Sequence, residues 1–100
     1  MTDKKLINIL VVEDQESLRS AISDELSFSG YKVITARDGE QGLEIAKSNS
    51  LDLIVSDIFM PNYDGYWLLC ELRKVNKTYP PFIFMTGFSD LSIPEAYAMG

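Results

Sequence analysis

The sequence is short of several things, and each shortage removes a class of protein. One cysteine, Cys70, stands among 100 residues, so no internal disulfide can form and the chain fits a reducing compartment such as the cytoplasm. Cations are few: 9 lysines and arginines against 15 aspartates and glutamates leave a formal charge of −6. Binding to a phosphate backbone gains most of its energy when cations displace counterions, so direct contact with nucleic acid is not expected. No apolar run approaches the roughly 20 residues of a membrane-spanning helix, and no membrane association is expected. Lys4 and Lys5 before the apolar run Leu6 to Val12 have the outline of a secretory signal. No small-residue cleavage site follows, and the run ends at Glu13 and Asp14, so it reads as a strand. Repeats, low-complexity tracts and linkers are all missing, and 46% hydrophobic content over this length suits one domain, residues 1–100.

What is present alternates between two periods. Leu6, Ile7, Ile9, Leu10, Val11 and Val12 form a near-continuous strand-like run. From Glu16 the spacing becomes helical, with Leu18, Ala21, Ile22 and Leu26 on one side, Arg19, Asp24 and Glu25 on the other, and Gly30 as the stop. Tyr31 to Ala36 predicts a second strand, and Asp38-Gly39 turns the chain into a helix using Leu43, Ile45 and Ala46. Leu51 to Asp57 is an apolar run that reads as a strand buried on both faces. After a turn marked by Pro61, Asn62, Asp64 and Gly65, a third helix is predicted on Leu68, Leu69, Leu72 and Val75. Glu71, Arg73 and Lys74 fall on its exposed side, and Cys70 reads as a small helix residue. Pro80 and Pro81 end that connection, Phe82 to Met85 form a fourth strand closing on Thr86, and Ser92 with Glu95 resembles a capping box opening a last helix through Met99. Strands and helices alternating at this spacing imply an α/β fold, with a parallel sheet and helices on both faces.

In such a sheet all strands point one way, so Glu13, Asp14, Asp57 and Thr86 meet at the carboxyl edge, where ligands bind. Taken singly, each has an ordinary reading: Asp14 as a helix cap, Glu13 as a loop acid, Asp57 as a turn starter, Thr86 as a β-branched strand end. Taken together they make a functional pocket. Three neighbouring carboxylates repel one another, and a hard divalent cation is the usual remedy; Mg²⁺ suits an all-oxygen donor set.

The segments Leu10-Val11-Val12-Glu13-Asp14, Asp57-Ile58-Phe59-Met60-Pro61 with Asp64-Gly65, and Phe84-Met85-Thr86-Gly87 together resemble the receiver domain of two-component response regulators, in order and spacing over essentially the whole chain. The resemblance implies a doubly wound, flavodoxin-like parallel sheet. It implies that Asp57 is the phosphoacceptor for a histidine kinase or phosphotransfer protein, that Glu13, Asp14, Asp57 and the Phe59 carbonyl hold Mg²⁺, and that Thr86 is the switch hydroxyl. It also implies a signalling domain and not an enzyme.

Family members continue into a fifth strand, with a lysine that contacts the phosphate, and a fifth helix. No residue of the 100 matches these, since Lys74 and Lys77 precede the fourth strand. The expected strand order is therefore 2-1-3-4, with Phe82 to Met85 an exposed edge open to homodimerisation. A receiver-like interaction module that is never phosphorylated is the alternative. A flavin binder fits less well, because Glu13-Asp14-Gln15-Glu16 would repel a phosphate. So does a metal-dependent phosphatase, which would place an acid where Phe59 stands.

Overall fold

Each of the four apolar runs becomes a strand. Asn8–Val12 (β1), Lys32–Ala36 (β2), Leu53–Asp57 (β3) and Phe82–Met85 (β4) alternate with the helices Glu16–Phe28 (α1), Gly39–Ser48 (α2) and Gly65–Arg73 (α3). The structure is a computed structural model and describes residues 7–60, 63–78 and 80–85. Thr86 and the last helix expected through Met99 lie outside the described residues.

The sheet order is β2-β1-β3-β4 and every neighbouring pair is parallel, as the alternating pattern predicts. Register then decides which side chains share a face. Leu10 lies between Ile34 and Ile54, and Val12 between Ala36 and Ser56. Leu10, Val12, Ala36, Ile54, Phe82 and Phe84 pack with Leu68 and Leu69 of α3, and Leu43, Ile45 and Ala46 of α2 lie against that cluster. Leu10, Ile54 and Leu68 are wholly buried, and a side chain buried this way contributes about 1.5–3 kcal/mol.

The other face carries Ile9 and Val11, both buried, flanked by half-buried Val33, Leu53 and Val55. Helix α1 lies over it, with Leu26 beside Ile9 and Leu53 in a shallow apolar groove. No residue of α1 is buried. Ala21, expected on the inner stripe, is exposed; a methyl side chain adds too little apolar surface to draw that turn of helix against the sheet.

Helix ends follow local chemistry. The Asp38 carboxylate accepts from the Gln41 N–H at 2.9 Å, which caps α2. Helix α1 ends at Phe28 with Ser29 as its cap, and Gly30 follows with φ 102°, a conformation open mainly to glycine. Helix α3 stops earlier than its apolar stripe suggests. It ends at Arg73, Lys74 is its cap, and Val75 is 89% exposed beyond it. The N–H groups of Val75 and Asn76 both turn back onto the Leu72 carbonyl at 3.1 Å, tightening the last turn. Arg73, expected outside, is instead half-buried, with Nη2 donating to the Pro80 carbonyl at 2.8 Å. The approach to β4 thus supplies a backbone acceptor that captures the guanidinium.

Candidate functional site

The β1 and β3 ladders run side by side with Val11 opposite Val55 and Val12 opposite Ser56. One step further sets Glu13 beside Asp57, on the face that α1 overlies. Glu13 keeps the strand course, since its N–H donates to the Ala36 carbonyl at 3.0 Å. Asp14 follows, exposed, at the start of the loop into α1. Glu13, Asp14 and Asp57 each offer a carboxylate oxygen, and these oxygens all lie within 4.8 Å of one another. Three of the four residues expected at the sheet edge are thus brought together, and the fourth, Thr86, lies outside the described residues.

Their ordinary readings fail on this geometry. Asp14 does not cap α1, whose N-cap is Gln15 with no side-chain bond. Glu13 is not a solvated loop acid, being 1% exposed. Its Oε2 accepts from the Gln15 N–H at 3.0 Å. Asp57 ends β3 with its carboxylate in the acid cluster, and it is Asp64 that caps α3, accepting from the Trp67 N–H at 2.9 Å.

Burial pushes the Glu13 carboxyl up to about 7, against the Gln15 N–H that pulls it down, with hydrogen bonding to Asp14 and the charges of Asp57 and Asp14 adding to the rise. Asp57 is also raised, first by burial; hydrogen bonds with Glu13 and from the Ile58 and Phe59 N–H groups oppose the rise. Burial is the larger cause and the neighbouring acid charges the smaller, and both favour the protonated carboxyl over the carboxylate. An all-oxygen, all-anionic donor set of this spacing fits a hard divalent cation such as Mg²⁺.

The loop after Asp57 is fastened from two sides. The Gly65 N–H donates to the Ile58 carbonyl at 3.1 Å, and the Gly39 N–H donates to the Tyr63 carbonyl at 2.7 Å. A Cβ at Gly65 would run into the Asp57 carbonyl, and one at Gly39 into the Tyr63 carbonyl. Tyr63 has φ 53°, in the left-handed region, and its ring lies 4.5 Å from that of Trp67. Phe59 is 64% exposed beside the site. Sequence spacing marked the Asp-Gly pairs as turns but not the contact between Gly39 and Tyr63, which links residues distant in the chain.

A model of the response regulator receiver domain matches residues 9–99. The chain belongs to the response regulator receiver domain family. Among curated relatives of this receiver domain, the probable transcriptional regulator ycf27 of Porphyridium aerugineum is 44% identical over 84 residues, covering 84% of this chain and 34% of that protein. The sensor histidine kinase RcsC of Salmonella typhimurium is 40% identical over 72 residues, covering 72% of this chain and 8% of that protein. The chain spans about a third of the length of the ycf27 regulators it matches. Among solved structures, the chemotaxis protein CheY4 of Vibrio cholerae has a TM-score of 0.82 at 31% identity, covering 96% of this chain and 82% of that one. The response regulator TrrA of Thermotoga maritima, solved in complex with Mg²⁺ and BeF, has a TM-score of 0.70 at 34% identity, covering 79% and 66%. Receiver domains are signalling domains of two-component systems, and the doubly wound order seen here is theirs. Among the described residues, no helix is long and apolar enough to cross a membrane.

Proposed function

We propose that residues 1–100 form one receiver domain that accepts a phosphoryl group on Asp57 from a histidine kinase or phosphotransfer protein in the cytoplasm. The observation that supports this most strongly is the meeting of the Glu13, Asp14 and Asp57 carboxylates within 4.8 Å at the carboxyl edge of the sheet. An Asp57 oxygen attacks the phosphorus of a phosphohistidine; the O–P bond forms as the N–P bond breaks, and the bonding pair stays on the imidazole nitrogen. The Ile58 and Phe59 N–H groups orient the Asp57 carboxylate. Glu13, Asp14, Asp57 and the Phe59 carbonyl would hold Mg²⁺, which when bound neutralises charge on the transferring group. The new acyl phosphate carries added charge and acceptor oxygens, and Thr86 is the hydroxyl that answers them.

Intact mass spectrometry after incubation with a small phosphodonor and Mg²⁺ tests the assignment. The expected result is a gain of one phosphoryl group, absent in Asp57→Asn and absent in chelator. No gain under conditions that label a well-behaved receiver rejects it.

A second reading, an unphosphorylated interaction or dimerisation module, is supported by β4, the outermost strand of the described sheet, which presents Ile83 at 52% exposure. An edge strand with an apolar outward residue is a template for pairing with a second copy. Light scattering across a concentration series separates the two: a concentration-dependent dimer lost in Ile83→Lys favours this reading, and a monomer throughout removes it.

A further inference from the structure

Glu13 is held at three of its polar groups. Its N–H is on the Ala36 carbonyl at 3.0 Å and its Oε2 accepts from Gln15 at 3.0 Å. Its main-chain carbonyl accepts from Nη1 of Arg19 at 2.8 Å. That last bond is not a local accident of helix geometry. Arg19 sits in the first turns of α1 and reaches back over the loop to the peptide that joins Glu13 to Asp14, the one peptide unit whose rotation would swing one acid relative to the other. Helical periodicity assigns Arg19 to the solvent side, yet it is half-buried, and its position is explained by the carbonyl it bonds. The Arg19 main-chain N–H makes the first helical bond, to the carbonyl of the N-cap Gln15 at 2.9 Å, so the side chain starts from the ordered first turn of α1.

We propose that Arg19 is a positioning residue: by clamping the Glu13–Asp14 peptide it sets the two carboxylates so that they converge with Asp57 on one divalent cation. This inference rests on reading the carboxylates as a Mg²⁺ site. Electrostatics and positioning make opposite predictions here. A guanidinium beside an acidic pocket repels an incoming cation, so if charge were all that mattered, removing it would tighten Mg²⁺ binding. If the clamp sets the acids, removing it loosens binding despite the lost repulsion.

The test is Mg²⁺ affinity, read from Trp67 fluorescence and from the rise in thermal midpoint with added MgCl₂, in wild type, Arg19→Met and Arg19→Lys. Metal-free thermal midpoints and far-ultraviolet circular dichroism are measured alongside. Arg19→Met is expected to weaken Mg²⁺ about tenfold, the typical effect of losing a group that orients a ligand, with metal-free circular dichroism unchanged. Arg19→Lys, which keeps the charge and one donor, is expected to fall between. Unchanged or tighter binding in Arg19→Met overturns the role of Arg19 while leaving the site standing. A wild type that shows no Mg²⁺ response overturns both. Should Arg19→Met fail to fold, Arg19→Gln, too short to span to the Glu13 carbonyl, is read by the same criteria.

Discussion

The two faces of the sheet are built to different standards. On one, Leu10, Val12, Ile54, Phe82 and Phe84 meet α2 and α3 in a closed cluster, and Leu68 is fully buried at its centre. On the other, α1 contributes no buried residue, Ile9 and Val11 are the sealed apolar strand residues among the described ones, and Ile83 of β4 is 52% exposed. The acids are register neighbours of the second set. Glu13 continues Ile9 and Val11, and Asp57 continues Leu53 and Val55. The closed face holds most of the buried apolar side chains, and the open face carries the three clustered acids at its edge, with Asp14 exposed to solvent. Regions that must respond to a ligand are generally drawn from the less stable part of a fold.

Four predictions test how far this division holds, in decreasing order of size. Leu68→Ala empties the centre of the closed face and is expected to destabilise by about 4 kcal/mol in urea unfolding; a loss below about 1 kcal/mol would show that the cluster repacks freely and the faces do not differ. Gly65→Ala places a methyl against the Asp57 carbonyl, and the backbone must move to admit it. A loss of about 3 kcal/mol is expected, with weakened phosphorylation because the displaced group belongs to Asp57, and full activity at wild-type stability would contradict the close approach.

The third concerns pH in the absence of metal. The folded Glu13 keeps its proton to about 7 where the ordinary value is 4.5, so between those values the native state binds more protons than the unfolded chain. Stability from this group is therefore fully present below 4.5 and lost as pH rises through 7. The raised Asp57 carboxyl acts in the same direction. Compared with Glu13→Gln at each pH in chelator, wild type is expected to fall behind by about 3 kcal/mol between pH 4.5 and 8; a constant difference refutes the shift. Last, Leu26→Ala removes a half-buried side chain from the groove under α1 and is expected to cost only about 1 kcal/mol. A cost matching that of Leu68→Ala would erase the contrast.

The sheet order and the carboxylate convergence were legible because both follow from short-range signals: apolar runs of strand length, Asp-Gly turns, and acids placed where the runs stop. Asp38 and Asp64 were recognisable as turn residues, and each proves to cap the helix that follows. Most of what escaped the sequence depends on partners outside a residue's own helix or strand. Helical period puts Arg73 outside because it counts only its own element, whereas the Pro80 carbonyl that captures it lies on the way into β4. Helical period puts Arg19 outside for the same kind of reason, its partner being the Glu13 carbonyl just after β1. Val75 continued a hydrophobic period past the point where the backbone had already turned. The tie between Gly39 and Tyr63 leaves no trace in local spacing, because it joins the loop after β3 to the start of α2.

The central claim, that the open face ends in a divalent cation site made by Glu13, Asp14 and Asp57, is tested most directly by the thermal midpoint at pH 8 with and without Mg²⁺. With the ion at ten times its Kd, linkage predicts about 1.4 kcal/mol of added stability, or a rise of roughly 6 °C or more for a domain of this size. The rise should be lost in Glu13→Gln and Asp57→Asn. A wild-type midpoint that does not move with Mg²⁺, or that moves equally in both variants, would contradict the account.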